Sequence, residues 1–231
     1  MTKLIGIIGG VSWESTVLYY QLINQSVRDQ FGGLNSARLL ISSLNYDPIV
    51  KFEQENNWKA VADILVDSAL GLEKAGSELI ILGCNTLHKV SPAIEKAIKI
   101  PFIHIADSVG DALSQAGIKK VGLLGTQFTM EDGFYAERLQ DKFNLDVITP
   151  ELNERLMIDN IIYKELCLGK VLKTSRTFFA KTIEALANAG AQGVILGCTE
   201  FNMLVQSGDS PIPIFDSTIL HAKNAVDLSL T

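Results

Sequence analysis

Residues 75–84 read AGSELIILGC, and residues 189–198 read AGAQGVILGC. One phrase thus closes on a cysteine twice, 114 residues apart in a chain of 231. Two further echoes keep nearly the same offset. KLIGIIG at 3–9 returns as KKVGLLG at 119–125, with Gly6 and Gly122 116 residues apart. IPFI at 100–103 returns as IPIF at 212–215, 112 residues on. Three matches in one order, at an offset close to half the chain, mark an internal duplication, which fixes architecture before any local reading.

Each half couples short apolar runs to amphipathic stretches. Runs at 3–8, 37–42, 78–82, 102–105, 120–124, 146–148, 193–196 and 212–215 predict strands. Within 53–75, Trp58, Val61, Ala62, Leu65, Ala69 and Leu72 fall at three-and-four spacing, the apolar face of a helix, and Gly76 stands where such a helix stops. The stretch 177–189 repeats this with Phe179, Ile183, Leu186 and Ala187 before Gly190, and 221–230 reads as a terminal helix. Strands alternating with helices imply parallel sheets with crossover helices. The expected fold is α/β: two similar lobes, each a small parallel sheet flanked by helices, related by a pseudo-two-fold axis. The first lobe is expected to take 1–100 plus 210–231, and the second 101–209.

Composition narrows the function classes. Apolar residues make up 47% and charged residues 20%, an ordinary globular balance with ample material for a core. A net charge of −6 without a long basic run points away from nucleic acid and anionic membranes. Three cysteines with no CxxC form no disulfide framework and fit a reducing compartment. The apolar run after Lys3 is too short for a secretory core, and no segment approaches the roughly 20 apolar residues of a membrane span. A soluble cytoplasmic protein is expected.

In open parallel sheets, functional residues collect beyond the carboxyl ends of strands. Cys84 and Cys198 each follow an apolar run and a glycine, which is that position. A two-fold relation would set two thiols on opposite walls of an interlobe cleft. Opposed acid/base groups of equal strength suit the removal of a proton from one face of a carbon and the return of one to the other. One sulfur must then be thiolate while its partner is thiol, and main-chain N–H groups at a helix start would help ionise the first. GCNT and GCTE are read as such starts, with Asn85, Thr86 and Thr199 as capping or ligand-binding groups. This is the constellation of a two-base racemase or epimerase.

Other residues are weighed around that pair. GGVSWEST at 9–16 and GTQFT at 125–129 are equivalent loops whose glycines would let a ligand approach the backbone, and Ser12, Thr126 and Thr129 add hydroxyls. The plainer reading of the same hydroxyls is helix capping. Neither loop is a GxGxxG or a P-loop. Cys167, in IIYKELCLGK, reads as a packed helix residue. A zinc site from Cys84, His88, Cys198 and Glu200 is the metal alternative, disfavoured by the absence of Cys-x-x-Cys knuckles. His88 is expected in a first helical turn at the cleft mouth, and His104 and His221 receive no role.

GIIGGVSWEST, GCNTLH, LLGTQFTM and GCTE, in this order and spacing, resemble the aspartate/glutamate racemase family over essentially the whole chain. The likeness is to its aspartate racemase branch and broad-specificity relatives, since glutamate racemases carry a histidine after the second Cys-Thr where this chain has Glu200. The resemblance implies a PLP-independent enzyme with no cofactor and no metal, a homodimer of two-lobed chains acting on a small amino acid. It implies Cys84 and Cys198 as the proton-transfer residues. Asn85, Thr86 and Thr199 would hold the α-carboxylate and α-amino groups, with Ser12, Thr126 and Thr129 lining the same site.

One departure concerns the substrate. Acid-specific members place an arginine after the second strand and a lysine in the segment held here by IIYKELC. SSLNYDPIVKF has no arginine, and the lysine position falls at Cys167, with Lys164 one turn away. A site without a guanidinium gives up a bidentate, charge-assisted contact, so aspartate is not expected to be the sole substrate. Two alternatives use the same residues: a cysteine-dependent isomerase of an unsaturated diacid such as maleate, and a two-lobed binder without turnover.

Overall fold

The computed structural model describes residues 2–230. Two compact units divide the chain: the first runs to Ile105 and resumes at His221, and the second is Ala106–Leu220. The first unit contains β1 (Ile5–Gly9), α1 (Trp13–Phe31), β2 (Leu39–Ser43), α2 (Tyr46–Gln54), α3 (Trp58–Lys74), β3 (Leu79–Leu82), α4 (Ser91–Ala97) and β4 (Phe102–Ile103). The chain enters the second unit in the first turn of α5 (Ile105–Gln115). There follow β5 (Lys120–Gly125), α6 (Gln127–Glu131), α7 (Phe134–Phe143), β6 (Asp146–Ile148), α8 (Leu152–Lys164), α9 (Lys173–Asn188), β7 (Val194–Gly197) and β8 (Ile214–Asp216). The chain returns to the first unit within α10 (Ser217–Ser229).

Every expected strand forms, and the duplication is exact in topology. The first sheet is ordered β2-β1-β3-β4 and the second β6-β5-β7-β8, all pairings parallel. β1 and β3 are central and buried throughout, which is why they read as unbroken apolar runs and not as alternating ones. Their side chains still alternate between faces. Ile5, Ile7, Leu79 and Ile81 pack with Tyr19, Ile23 and Val27 of α1 and with Ala222, Ala225 and Val226 of α10. Ile8, Ile80 and Leu82 pack on the other face with residues of α2, α3 and α4. In the second unit, Leu124, Val194 and Leu196 meet Ile158, Ile161, Phe179 and Ile183 of α8 and α9.

Close approach to the central strand, by the loop after α3 in the first unit and by α9 in the second, demands a missing side chain at equivalent points. A Cβ on Gly6 would lie 2.7 Å from Ser77 Oγ, and one on Gly122 would lie 2.8 Å from Leu186 Cδ1. That requirement explains why the glycine recurs in both halves.

Three expectations need adjustment. The lobe boundaries near 100 and 210 move to 105/106 and 220/221, because β4 and β8 are hydrogen-bonded as the fourth strands of their own sheets. The stretch 53–75 is not one helix: Asn56 takes a left-handed φ of 55°, and Asn57 restarts the helix by accepting Ala60 N–H at 3.2 Å. The segment SSLNYDPIVKF after the second strand, expected as a loop, is largely α2, capped by Asn45. Among the described residues, no helix is long and apolar enough to cross a membrane.

Candidate active site

Cys84 stands two residues past β3, half-buried, in the turn that leads into a 3₁₀ helix at Thr86–Val90. Asn85 and Thr86 beside it are each 4% exposed. His88 locks this turn. Its Nε2 accepts the Ile105 N–H at 3.2 Å, so the ring proton sits on Nδ1, which donates to the Cys84 carbonyl at 2.7 Å. The neutral imidazole thereby joins the main chain of Cys84 to the residue where the chain leaves the first unit. With both ring nitrogens engaged and the side chain 1% exposed, His88 is neither at a cleft mouth nor available to zinc.

The other histidines are part of the same buried group. His88 and His104 lie 4.5 Å apart between ring centroids, and His88 and His221 5.7 Å apart. His221 Nε2–H donates to the Ile103 carbonyl at 2.9 Å, and its Nδ1 bonds the Tyr19 hydroxyl at 2.8 Å. Sequence reasoning gave His104 and His221 no role. Their role is to pack and tie the first unit around the Cys84 turn, through contacts spanning up to 202 residues that no local signal announces.

Cys198 directly follows β7 and begins a second 3₁₀ turn, Thr199–Met203. It is 8% exposed, among Leu196, Phe201 and Leu204. Its thiol donates to Glu200 Oε2 at 3.0 Å, and Thr199 Oγ1 donates to the same oxygen at 2.6 Å. Burial pushes the Cys198 thiol well above its ordinary range, and the Glu200 carboxylate adds to that, outweighing the Glu200 main-chain N–H that pulls it down. The expected help from a helix start is therefore reversed here: the segment is a short 3₁₀ helix, and burial together with the carboxylate outweighs its N–H.

The hydroxyls of the two strand-end loops act as caps. Ser12 accepts Ser15 N–H and begins α1; Thr126 accepts Thr129 N–H at 3.3 Å and begins α6, with the two threonine oxygens 3.0 Å apart. The glycines of the first loop are also spent on the protein itself. Gly10 has a φ of 79°, and a Cβ there would collide with the Leu44 main chain. A Cβ on Gly9 would lie 2.7 Å from Thr16 Oγ1, which in turn accepts the Gly10 N–H. Cys167 is exposed, in a short 3₁₀ turn after α8, so packing does not account for it. That turn packs against Thr199–Met203, and Cys167 contributes to the charge environment of Cys198. Lys164 is exposed in the last turn of α8.

Each half thus ends its third strand in Gly-Cys followed by a polar 3₁₀ turn, on an identical sheet. A profile of the Asp/Glu/Hydantoin racemase family matches residues 8–225. The chain belongs to that family. Its isomerase class and its two-lobed α/β fold are those read from the sequence. The broad-specificity amino-acid racemase of Bacillus subtilis is 23% identical over 228 residues, 98% of either chain. A candidate Asp/Glu racemase structure from Yersinia pestis matches at a TM-score of 0.94 and 44% identity, over 99% of this chain and 100% of that one. An aspartate racemase homologue from Pyrococcus horikoshii matches at 0.87 and 34% identity, covering 100% of both.

Proposed function

We propose that this racemase-family enzyme inverts the α-carbon of free amino acids without a cofactor, with Cys84 and Cys198 exchanging the roles of thiolate base and thiol acid. The observation that carries the reading is equivalence: each sulfur follows a central strand of one of two sheets with the same order, and each is succeeded by polar residues at a 3₁₀ turn. Asn85, Thr86 and Thr199 hold the α-carboxylate and α-amino groups, with Ser12, Thr126 and Thr129 contributing beyond their caps. The absence of arginine in SSLNYDPIVKF and the cysteine at 167 favour a substrate range wider than aspartate, in keeping with the Bacillus subtilis relative. The enzyme works as a homodimer in the cytoplasm, as the family likeness implies.

Proton exchange tests the reading. Aspartate, glutamate and a panel of neutral amino acids, incubated in D₂O, should acquire α-deuterium with the wild-type protein. Cys84→Ser and Cys198→Ser should each lower the rate by about 10²-fold or more, the usual worth of a positioned acid or base. Full exchange in both variants would dismiss the two-thiol chemistry.

A further inference from the structure

The two cysteines are equivalent in topology and unequal in company. Two residues beyond Cys84 stands Thr86, a hydroxyl; two residues beyond Cys198 stands Glu200, whose Oε2 receives both the Cys198 thiol and the Thr199 hydroxyl, at 3.0 and 2.6 Å. Thr199 fixes that carboxylate oxygen against the sulfur; Cys198 and Thr199 are 8% and 9% exposed, while Glu200 itself is half-buried. An acceptor-only carboxylate held on a buried sulfur stabilises the protonated thiol and repels the thiolate. Besides Glu200, the titratable group bearing on this sulfur is Cys167, from the turn after α8. Cys198 also belongs to an apolar cluster that includes Leu196, Phe201 and Leu204.

We propose that Glu200 is a positioning residue that sets the resting protonation of the cysteine pair, keeping Cys198 as the proton-bearing acid and leaving Cys84 as the base of the free enzyme. The inference rests on the racemase reading above. In the favoured direction, the α-proton moves from carbon to the Cys84 thiolate, the electron pair stays on carbon, and the Cys198 thiol delivers its proton to the opposite face. The enzyme ends with Cys84 protonated and Cys198 as thiolate beside Glu200, a pair of like charges. It regains the resting form when Cys198 takes a proton from water and Cys84 releases one. The two directions of one reaction thus begin from enzyme forms of unequal population. Because enantiomers have equal free energy, kcat/KM must match in the two directions, and the asymmetry appears in kcat and KM separately.

The test is alkylation of the substrate-free protein by iodoacetamide across pH, with each cysteine followed by peptide mass spectrometry. In the wild type, Cys198 should react with a pH midpoint above the ordinary thiol value of about 8.5. In Glu200→Gln, which keeps the shape and the main-chain N–H, that midpoint should fall by about one unit, so Cys198 reacts about tenfold faster near pH 7.5. Exposed Cys167 reports on general reactivity and should change by less than about twofold, the factor that separates a local effect from loosening of the fold. Glu200→Gln should also alter the ratio of kcat in the two directions while both kcat/KM values stay matched. A wild-type Cys198 midpoint at or below about 8.5 overturns the proposal without any variant, and an unmoved midpoint in Glu200→Gln overturns it as well. The alkylation readout needs no turnover. Loss of the racemase reading through fully active Cys84→Ser and Cys198→Ser would therefore be seen separately from failure of the Glu200 assignment.

Discussion

Glu53, at the end of α2, is 3% exposed, and its Oε1 has no hydrogen-bond partner. Burial pushes its carboxyl up from 4.5 to about 7. A carboxyl raised in the folded state contributes stability that is complete below the unfolded value and is lost as pH rises through the folded one. Stability should therefore decline between about pH 4.5 and 7, by up to about 3 kcal/mol at 1.36 kcal/mol per unit. Glu53→Gln should match the wild type near pH 5 and exceed it at pH 8 in urea midpoints; equal midpoints at pH 8 would mean that burial does not raise the carboxyl. Nothing in KFEQEN distinguishes this glutamate from its exposed neighbour Glu55, because its burial is decided by where α2 lands. The cysteines and the capping hydroxyls were legible since strand ends and caps are written locally. The bond from Cys198 to Glu200 was not, because the side-chain direction depends on a 3₁₀ turn where a longer helix was expected.

Elements carry the same contrast between local and distant causes. All strands were readable as apolar runs, whereas the helix read across 53–75 breaks at an asparagine in a left-handed conformation, a signal that apolar periodicity does not contain. Two glycines make the point measurable. Gly122 lies on β5 against Leu186 of α9, while Gly71 lies in α3 with open space where its Cβ would go. Gly122→Ala should overpack the helix–sheet contact and destabilise the protein by about 1–3 kcal/mol. Gly71→Ala should stabilise it by about 0.5–1 kcal/mol through lower unfolded-state entropy. Urea denaturation of both variants checks the pair, and a destabilised Gly71→Ala would contradict the open space assigned to it.

At the scale of the whole chain, duplication was visible because equivalent strands and their glycines keep a nearly constant offset. The crossing points were not, because they depend on which sheet claims β4 and β8 and on where α10 lies. The second unit is one unbroken stretch, Ala106–Leu220, but the first is completed only by residues from His221 onward. Ala222, Ala225 and Val226 cover Ile5, Ile7 and Ile81, and Lys3 N–H bonds the Ser229 carbonyl at 2.8 Å. Domains fold as units while synthesis proceeds from the N-terminus. Here the part translated first must wait for the part translated last: during biosynthesis the interior of the second unit should close while β1 and β3 are still uncovered. Ribosome-bound chains stalled before residues 221–230 emerge should resist protease across 106–220 and be cut within 1–105. Early protection of both regions would show that the N-terminal sheet can form its core without the C-terminal helix.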